Sequence, residues 1–387
     1  MKIKLSYTIV LFLFFPFVVY SQGDRGRIDP ANNIPFFVQG IVLDGYNVYG
    51  ILNTTLSTIS NMSDVNPASL VDHQSPAIGF SMQFDSKIDR EVIPLVDAGQ
   101  QRANPWLPQS FNFVYPKGDF RFGMGFHQKY NQYFDFDLII TTPNDPTGGE
   151  AIKATFETNL YTGSGVASYS FPSPFHKSHQ ATLGFQLNLN YLRDFETLRE
   201  LYAKATDIAL GWTLGLRYDF NDRFKANIAF DKENTFSGTP KTNRSLVTLE
   251  DSSFVQIPVE QRFIANYPDK LKLGLLVKIT DQIWLTNNFA ITFWNDINEN
   301  IKNQPEFSGN FIFNITSTFT TSIGIYYTNN QTISDFFRVE SDLLFLNGGL
   351  KIDIKKLTLE MSIADSHLGS SENREQTIVK FGTGITL

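Results

Sequence analysis

Histidine, serine and acidic side chains are the groups that would carry catalysis or hold a metal, and here they form no catalytic motif. The five histidines are scattered along the chain, at His73, His127, His176, His179 and His367. His176 and His179 have no acidic residue beside them, so their spacing predicts exposed turn histidines and no metal site. Nucleophile elbows, phosphate-binding loops and dinucleotide fingerprints are absent from the sequence. We therefore predict that the protein is not an enzyme and uses no cofactor.

Composition and motif spacing argue against several other kinds of site and function. The stretch NDPTGGE, at 144–150, offers oxygen ligands of the kind that calcium takes, but its spacing matches no known calcium loop and predicts a solvated turn. The chain contains no cysteine, so disulfides and thiolate chemistry are excluded. A net charge of −7 without a basic run argues against binding to nucleic acid.

Apolar residues point towards a membrane. Aromatic residues make up 14% of the chain, with 36 Phe, and the charged fraction of 18% lies below the ~25% usual for soluble domains. Residues 1–21 combine Lys2 and Lys4 with an apolar run and predict a secretory signal. The alternative, a membrane-anchoring helix, is disfavoured because Pro16 interrupts the run. Since no later apolar run reaches spanning length, a mature membrane protein would have to cross with strands.

The rest of the sequence alternates with a period of two, which predicts strands that have one apolar face. In FRFGMGFH, for example, the apolar face carries Phe120, Phe122, Met124 and Phe126, and the opposite face carries Arg121, Gly123, Gly125 and His127. Such runs extend for about 9–13 residues, which is close to the length of a tilted membrane strand. The non-apolar faces consist mostly of Gly, Ala, Ser, Thr and Asn.

Connections between these runs alternate in length. Six short turns are predicted at 116–119, 172–178, 219–224, 279–282, 316–319 and 354–357. Seven long loops are predicted at 86–107, 138–157, 194–206, 231–268, 295–306, 329–340 and 365–375. This order predicts an all-β transmembrane antiparallel barrel of about 14 strands over 76–387, because closure leaves no unpaired backbone edge in lipid. A soluble β-sandwich is the alternative, but it would have shorter strands, and its short and long connections would not alternate along the chain.

Residues 22–75 precede the first strand and do not alternate. A free tail would be charged and poor in apolar residues, whereas this segment contains Phe36, Phe37, Ile51 and Leu52. We therefore expect a plug, or hatch, that folds into the lumen. Within it, 48–59 has the composition for one or two helical turns.

One motif in this segment resembles a known family. DVNPASL, at 64–70, with Asn66, Pro67 and Ala68 at its centre, resembles the Asn-Pro-Ala motif of the FadL-like outer-membrane transporters of long-chain fatty acids and aromatic hydrocarbons. That family has a signal peptide, an N-terminal hatch, the motif and then a 14-stranded barrel, in the order seen here. This chain lacks the Gly/Ala-rich run that often precedes the motif.

The resemblance also implies a lateral gate and a capture site. The motif would pack near a kink in the third strand, where Gly123 and Gly125 are the candidate gate residues; alternatively, these glycines only relieve crowding inside the barrel. In 194–208, helical spacing of Leu198, Leu201 and Tyr202 predicts a short amphipathic helix. By resemblance, loops 194–206 and 231–268 would form an external ligand groove, although the three apolar residues could merely anchor a loop on the rim.

The last stretch of the chain, KFGTGITL, predicts a strand that pairs with the first. It resembles the C-terminal signal by which the barrel-assembly machinery recognises outer-membrane proteins, carried here by Lys380, Gly382, Ile385 and Leu387. The resemblance departs in ending on Leu and not on Phe. It implies a protein of the bacterial outer membrane, surrounded by outer-membrane lipid.

Together these features predict a channel for passive uptake of hydrophobic small molecules. An apolar solute would enter a loop groove, meet the plug and leave when the plug shifts, or sideways at the third strand. Fatty acids and aromatic hydrocarbons fit a Phe-rich path equally well. The alternatives are a structural, assembly or surface-adhesion barrel and a general porin.

Overall fold

The computed structural model describes residues 45–387 with gaps at 87, 94–95, 102–107, 143–144, 177, 199–200, 233, 243–244, 251–252, 259–262, 298–301, 334–337 and 370–375. The predicted signal segment, 1–21, and the first part of the predicted plug, 22–44, lie outside the described residues. Among the described residues, no helix is both long enough and apolar enough to cross a membrane.

Fourteen antiparallel strands form a closed barrel, as predicted. In chain order they are β1 (Ala77–Asp85), β2 (Pro108–Lys117), β3 (Phe120–Thr142), β4 (Asp145–Pro172), β5 (Gln180–Leu198), β6 (Leu201–Asp219), β7 (Phe224–Lys232), β8 (Lys270–Lys278), β9 (Ile283–Thr292), β10 (Gln304–Asn314), β11 (Phe319–Ile333), β12 (Arg338–Ile354), β13 (Leu357–Asp365) and β14 (Thr377–Thr386).

The barrel closes through pairing of β14 with β1. The register runs without interruption from Ala77 opposite Thr386 to Asp85 opposite Ile378. One further backbone bond extends the seam, because the amide of Leu387 donates to the carbonyl of Pro76 at 2.8 Å. Each strand of the barrel therefore has a neighbour on both sides, which satisfies the backbone groups that lipid cannot.

Alternation along each strand separates an apolar outside from a polar inside. On β5, Leu187 and Leu189 are 50% and 51% exposed on the outer face, whereas the intervening Asn188 is only 3% exposed and faces the lumen. At the short-turn end, outward rings cluster: Phe120 lies 4.6 Å from Tyr169, and Tyr218 lies 4.6 Å from Phe220, measured between centroids. An apolar band edged by aromatic rings is typical of barrels that sit in an outer membrane.

The six predicted short turns are confirmed, and all lie at one end of the barrel. Several predicted long loops are instead continuations of strands. The region 138–157 belongs largely to β3 and β4, which continue to Thr142 and from Asp145, and 194–206 is the end of the β5–β6 hairpin. The predicted helix in 194–208 is therefore wrong, because backbone pairing with neighbouring strands outweighs a helical spacing of a few apolar residues.

Shorter elements lie at the long-loop end of the barrel. They are the strands Ile88–Ile93, Val96–Gln101, Thr235–Gly238, Lys241–Thr242, Ser245–Glu250, Ser253–Pro258 and Phe263–Asn266, and the 3₁₀ turn Trp294–Asp296. Thr235–Gly238 and Phe263–Asn266 pair with each other in a separate two-stranded sheet. We call this pair the loop hairpin.

Residues 45–75 lie inside the barrel and are called the luminal segment. Its helical turns are two 3₁₀ turns, Ile59–Asp64 and Pro67–Asp72. The prediction of helical turns within 48–59 is wrong, because this stretch is irregular and contains a tight turn closed by paired backbone bonds between Asn47 and Gly50. The segment runs directly into β1, so it enters the lumen from the short-turn end.

Candidate functional site

Asn66 joins the luminal segment to the barrel wall. Its side-chain NH₂ donates to the carbonyl of Leu216 on β6 at 3.4 Å and to that of Ile228 on β7 at 3.1 Å. Its side-chain oxygen accepts a bond of 2.9 Å from the amide of Ala68 and so caps the second 3₁₀ turn, in which Pro67 occupies the first position. A single buried amide therefore fixes both the local turn and its position against two strands.

The wall makes room for this motif with glycine. A Cβ at Gly184 on β5 would lie 2.8 Å from the Cα of Ala68, and one at Gly215 on β6 would lie 3.0 Å from the Cγ of Asn66. Asn66, Pro67 and Ala68 thus pack on β5, β6 and β7, and Leu70 of the same motif reaches the third strand, where a Cβ at Gly123 would lie 3.2 Å from its Cδ2. The sequence predicts glycines on the inward faces of the strands, but it does not show which of them contact the motif.

Gly123 and Gly125 on β3 also face the luminal segment. A Cβ at Gly123 would lie 2.9 Å from the Cε of Met62, and one at Gly125 would lie 2.8 Å from the hydroxyl of Ser63. Pairing of β3 with β2 and with β4 continues through both glycines. The register between β3 and β4 shifts further along, between Gln128 and Tyr130.

The luminal segment is tied to strands all around the barrel. Arg217 on β6 forms an ion pair of 2.7 Å with Asp72, and Lys380 on β14 donates to the carbonyl of Tyr46 at 2.7 Å. Glu360 on β13 accepts bonds from the hydroxyls of Ser60 and Thr58. The backbone of the luminal segment forms further hydrogen bonds with side chains of six strands, namely Asn112 of β2, Arg121 of β3, Gln186 of β5, Asn227 of β7, Asn288 of β9 and Ser322 of β11.

Two residues of the predicted assembly signal also take part in these contacts. Lys380 faces inward to Tyr46, and a Cβ at Gly382 would lie 2.8 Å from the hydroxyl of Ser60. Ile385 and Leu387 are exposed on the outer face. The lysine and the glycine therefore have a structural explanation in the lumen, and recognition by the assembly machinery stays a prediction.

Buried charged side chains lie between the luminal segment and the long-loop end of the barrel. The sequence predicts a lining of mostly small residues there. Lys270 and Lys272 of β8 pair with Glu306 and Asp231 at 2.5 and 2.8 Å. The hydroxyl of Tyr326 also donates to Glu306 at 2.8 Å. Their alternation with Leu271 and Leu273 was a signal that could have placed both lysines inside.

An apolar cluster lies inside the long-loop end of the barrel and is called the outer cluster. Its buried members are Tyr130, Leu160, Leu192, Ala203, Ala205, Phe236, Phe263, Ala265, Trp294 and Ile297. Tyr267 packs against it, with its ring 6.2 Å from that of Tyr130, and the indole of Trp294 donates to Gln304 at 3.1 Å. Three further buried apolar clusters contain residues of the luminal segment, whereas the outer cluster contains none and is therefore a candidate site for an apolar solute.

The predicted groove residues are not the ones that build this cluster. Leu198 and Leu201 pair with each other in the β5–β6 hairpin, and the side chain of Tyr202 is exposed. From the same stretch, the cluster receives Ala203 and Ala205. Phe236 and Phe263, from the predicted long loop 231–268, were missed because their short strands show no extended alternation.

At the opposite end, beneath the luminal segment, lies a cavity of about 430 Å³. Tyr49, His73, Lys278, Trp284, Lys351 and Glu360 contribute to its lining. His73 accepts or donates a bond of 3.0 Å with Ser57, and burial lowers the pKa of His73 to about 4. The lining mixes these polar and charged groups with apolar ones such as Leu56, Ile59 and Leu276, so the cavity is not a purely apolar site.

The remaining histidines form no site with metal-ligand geometry. The rings of His176 and His179 are tilted against each other in the β4–β5 turn, with centroids 4.4 Å apart, and His179 also forms a hydrogen bond of 2.9 Å with the hydroxyl of Tyr218. Within the described part of the chain, no three His, Cys, Asp or Glu side chains come together as metal ligands do. His127 lies 3.8 Å from Asp64 of the luminal segment.

No family model matches the sequence, and no curated protein matches it. Solved structures do match the fold over nearly the whole chain. The toluene transporter TbuX of Ralstonia pickettii superposes with a TM-score of 0.65 at 12% identity, covering 91% of this chain and 100% of that one. The Pseudomonas putida toluene transporter TodX gives 0.64 at 11% identity, over 89% and 99%.

A FadL homologue from Pseudomonas aeruginosa superposes with a TM-score of 0.57 at 12% identity, covering 92% of this chain and 99% of that one. At such identities the likeness concerns the fold. The predicted resemblance to FadL-like proteins is confirmed at that level, and these neighbours are transporters and not enzymes.

Proposed function

We propose that this chain, which has the fold of FadL-like outer-membrane barrels, is a passive outer-membrane channel for hydrophobic small molecules. The observation that carries the proposal is the outer cluster, a buried apolar cluster at the mouth of the barrel that stands apart from the apolar clusters which the luminal segment forms with the wall. A solute that enters it gains roughly 25 cal/mol per Å² of apolar surface removed from water. The concentration gradient drives net flow.

In this proposal the luminal segment is the plug. Bonds from strands all around the wall, including those of Arg217, Glu360 and Lys380, support this role, because they hold the segment across the passage. The buried pairs of Lys270 and Lys272 lie between the cluster and the plug. An apolar solute would have to pass these charges and break several tethers to reach the short-turn end directly.

We place the lateral exit on the third strand, near the predicted gate but closer to the mouth. The last described pair of β2 with β3 joins Ser110 to His127, and the shift in pairing with β4 follows at Gln128 to Tyr130. Tyr130 is itself a member of the outer cluster. A solute leaving here would enter the membrane without crossing the plug, and Gly123 and Gly125 would serve to keep the plug close to the wall.

Uptake assays test the proposal. Cells that produce the protein should accumulate labelled toluene or labelled oleate several-fold faster than cells without it. Uptake of a labelled polar solute of similar size, such as glucose, is the control and should not change. Equal rates for both apolar probes with and without the protein, at confirmed levels of folded barrel, would refute the channel.

A surface-binding barrel is the second candidate, and the length of β3 and β4 favours it. These strands have 23 and 28 residues, whereas about 9–11 suffice to cross a membrane. Their hairpin therefore projects far beyond the lipid at the long-loop end. Co-purification of a stoichiometric partner that is lost when 132–154 is shortened, together with unchanged solute uptake, would favour this function. A general porin is disfavoured because it needs an open, water-filled passage, whereas bonds from strands all around the wall hold the luminal segment inside this barrel.

A further inference from the structure

Two lysines stand directly opposite each other on the outer face of the barrel sheet. Lys241, of the short strand Lys241–Thr242, pairs with Lys204 of β6, and both side chains are exposed. Directly opposed side chains have Cβ atoms about 4.5–5.5 Å apart, and like charges at that distance destabilise a sheet. Neither ammonium has an acidic partner among the described residues. Within that part of the chain, the repulsion between the two lysines is therefore not offset.

A third cation lies on the same face. Arg193 of β5 pairs with Thr206, two residues from Lys204, so the arginine and this lysine are diagonal neighbours with Cβ atoms about 7 Å apart. The arginine side chain is 39% exposed and lies 3.8 Å from Glu157, which is too far for a close ion pair. Its charge is therefore only partly offset. We call Arg193, Lys204 and Lys241 the cationic patch.

The cationic patch lies at the outer edge of the apolar band. On β5 the outward apolar positions run as far as Tyr191, and the next outward position is Arg193. The ring of Tyr191 lies 6.4 Å from that of Tyr161 on β4, so aromatic rings mark this edge of the band.

The position of Lys204 agrees with this depth. It is four residues beyond Ile208 of β6, which is 58% exposed on the outer face. At ~3.3 Å per residue and a strand tilt of ~40°, the lysine lies about 10 Å further from the hydrocarbon than the isoleucine. The headgroup layer outside the hydrocarbon core is of that thickness, so the patch lies at the depth of lipid headgroups.

We propose that the cationic patch binds the phosphate of a phosphorylated glycolipid of the outer leaflet, whose acyl chains lie along the outward apolar faces of β5 and β6. A phosphate between Lys204 and Lys241 would replace their repulsion with two favourable contacts. Three cations suit a phosphomonoester, which carries nearly two negative charges at neutral pH, better than the singly charged phosphodiester of a phospholipid. This inference goes beyond the proposed channel and does not depend on transport of a solute.

Hydroxyl side chains beside the patch fit the sugar of such a lipid. On the same outer face, the hydroxyls of Thr155 and Thr197 are hydrogen-bonded to each other. Thr197 pairs with Tyr202 of β6, which is 40% exposed. This row lies one outward position beyond Lys204, further from the hydrocarbon. A sugar linked to the bound phosphate would reach this row, whereas a phospholipid has no group to place there.

Lipid binding to the purified, folded barrel in detergent tests the inference. Diphosphoryl lipid A is the probe, and native mass spectrometry counts the lipids bound at each concentration. K204Q/K241Q should weaken binding by about tenfold or more, because cations beside an anionic lipid contribute on that scale. K355Q/K356Q removes the same charge from two exposed lysines of the β12–β13 turn, at the opposite end, and should bind as the wild type does. Equal binding by all three proteins overturns the inference.

Further variants and lipids separate charge from other causes. K204R/K241R keeps both charges and should bind diphosphoryl lipid A as the wild type does. Lipid A without its phosphates should bind to the wild type no better than diphosphoryl lipid A binds to K204Q/K241Q. Phosphatidylglycerol that binds as tightly as diphosphoryl lipid A, and is lost in K204Q/K241Q, would overturn the assignment to a glycolipid.

Protection of a free strand edge is the other role that exposed lysines have in sheets. Lysines with that role alone would give a K204Q/K241Q barrel that self-associates in detergent while its binding of diphosphoryl lipid A stays unchanged. That result would overturn the inference. Because every measurement is of lipid binding, failure of the wild type to take up toluene or oleate would refute the channel and leave this test intact.

Discussion

Arg217 lies 2.7 Å from Asp72 and 2.8 Å from Asp219, so one guanidinium on β6 holds a carboxylate of the luminal segment and a carboxylate of its own strand. The arginine side chain is 2% exposed and the Asp72 side chain 25% exposed. Because a charge that loses its partner in a buried site is costly, this pair is a strong point of attachment for the segment.

Arg217→Met should loosen the luminal segment. We expect the free energy that holds the segment in place to fall by about 1.5–3 kcal/mol, the usual range for a hydrogen bond to a charged group, because the Asp72 carboxylate left behind is partly exposed. Hydrogen exchange of the amides of 67–72 measures it. Arg193→Met, which removes an exposed pair with Glu157 at 3.8 Å, is the control and should cost at most about 1 kcal/mol. Equal exchange in both variants would show that Arg217 does not hold the segment.

Asn66→Asp separates the two roles of Asn66. The aspartate keeps the oxygen that caps Ala68, but it loses the NH₂ that donates to Leu216 and Ile228 and turns an oxygen towards their carbonyls. We expect a loss of about 1–3 kcal/mol in attachment, with the 3₁₀ turn retained. The same change at Asn221, in the exposed β6–β7 turn, should have little effect. Hydrogen exchange within 64–72 in both variants gives the comparison.

Gly184→Ala should displace the luminal segment, because a Cβ there would meet the backbone of Pro67 and Ala68. Gly165→Ala is a matched control, since a Cβ at Gly165 meets nothing within 4 Å. We expect open-channel events in planar bilayers, or sensitivity of cells to a large antibiotic, to increase for Gly184→Ala only. Identical conductance in the two variants would mean that the segment does not close the lumen.

Attachment of the luminal segment should weaken in acid. Burial lowers the pKa of His73 from 6.5 to about 4, so between these values the detached segment binds a proton that the attached one does not. Stability of attachment is therefore greatest above pH 6.5, falls as the pH drops towards 4 and changes little below that. His73→Gln should flatten this dependence in hydrogen exchange, whereas the same change at the exposed His367 should preserve it. A curve that His73→Gln leaves unaltered would assign the dependence to another group.

Lys380→Met distinguishes two explanations of one residue. If Lys380 mainly holds Tyr46, the variant should reach the outer membrane in normal amounts and show faster exchange around Tyr46. We expect this result, because the lysine points into the lumen. The shift in gel mobility between boiled and unboiled samples measures the amount of folded barrel. A large loss of folded protein would identify the residue as part of the assembly signal.

The barrel was predictable because one physical rule operates along its whole length. Outward positions such as Leu187 and Leu189 meet lipid and inward positions such as Asn188 do not, so the alternation appears directly in the sequence. The short turns followed from the same pattern. Lys270 and Lys272 could have been assigned to the lumen by this rule, and their partners could not, because pairing across strands depends on register.

The long-loop end was less predictable. Leu198, Leu201 and Tyr202 have helical spacing, yet the stretch is strand because β4 pairs with β5 beyond the membrane. Phe236 and Phe263 lie in elements of four residues each, which are too short for a periodic signal. The position of Asn66 against β6 and β7 depends on how the luminal segment turns between its two 3₁₀ turns, and local sequence does not determine that path.

The seam between β1 and β14 also sets an order of events during biogenesis. Ala77 and Thr386 stand opposite each other although roughly 300 residues of chain separate them, and contacts of such separation form late. The luminal segment precedes β1 in the chain, so it is synthesised before any strand of the barrel. We expect that pairing of β14 with β1 therefore closes the wall around a segment that is already inside.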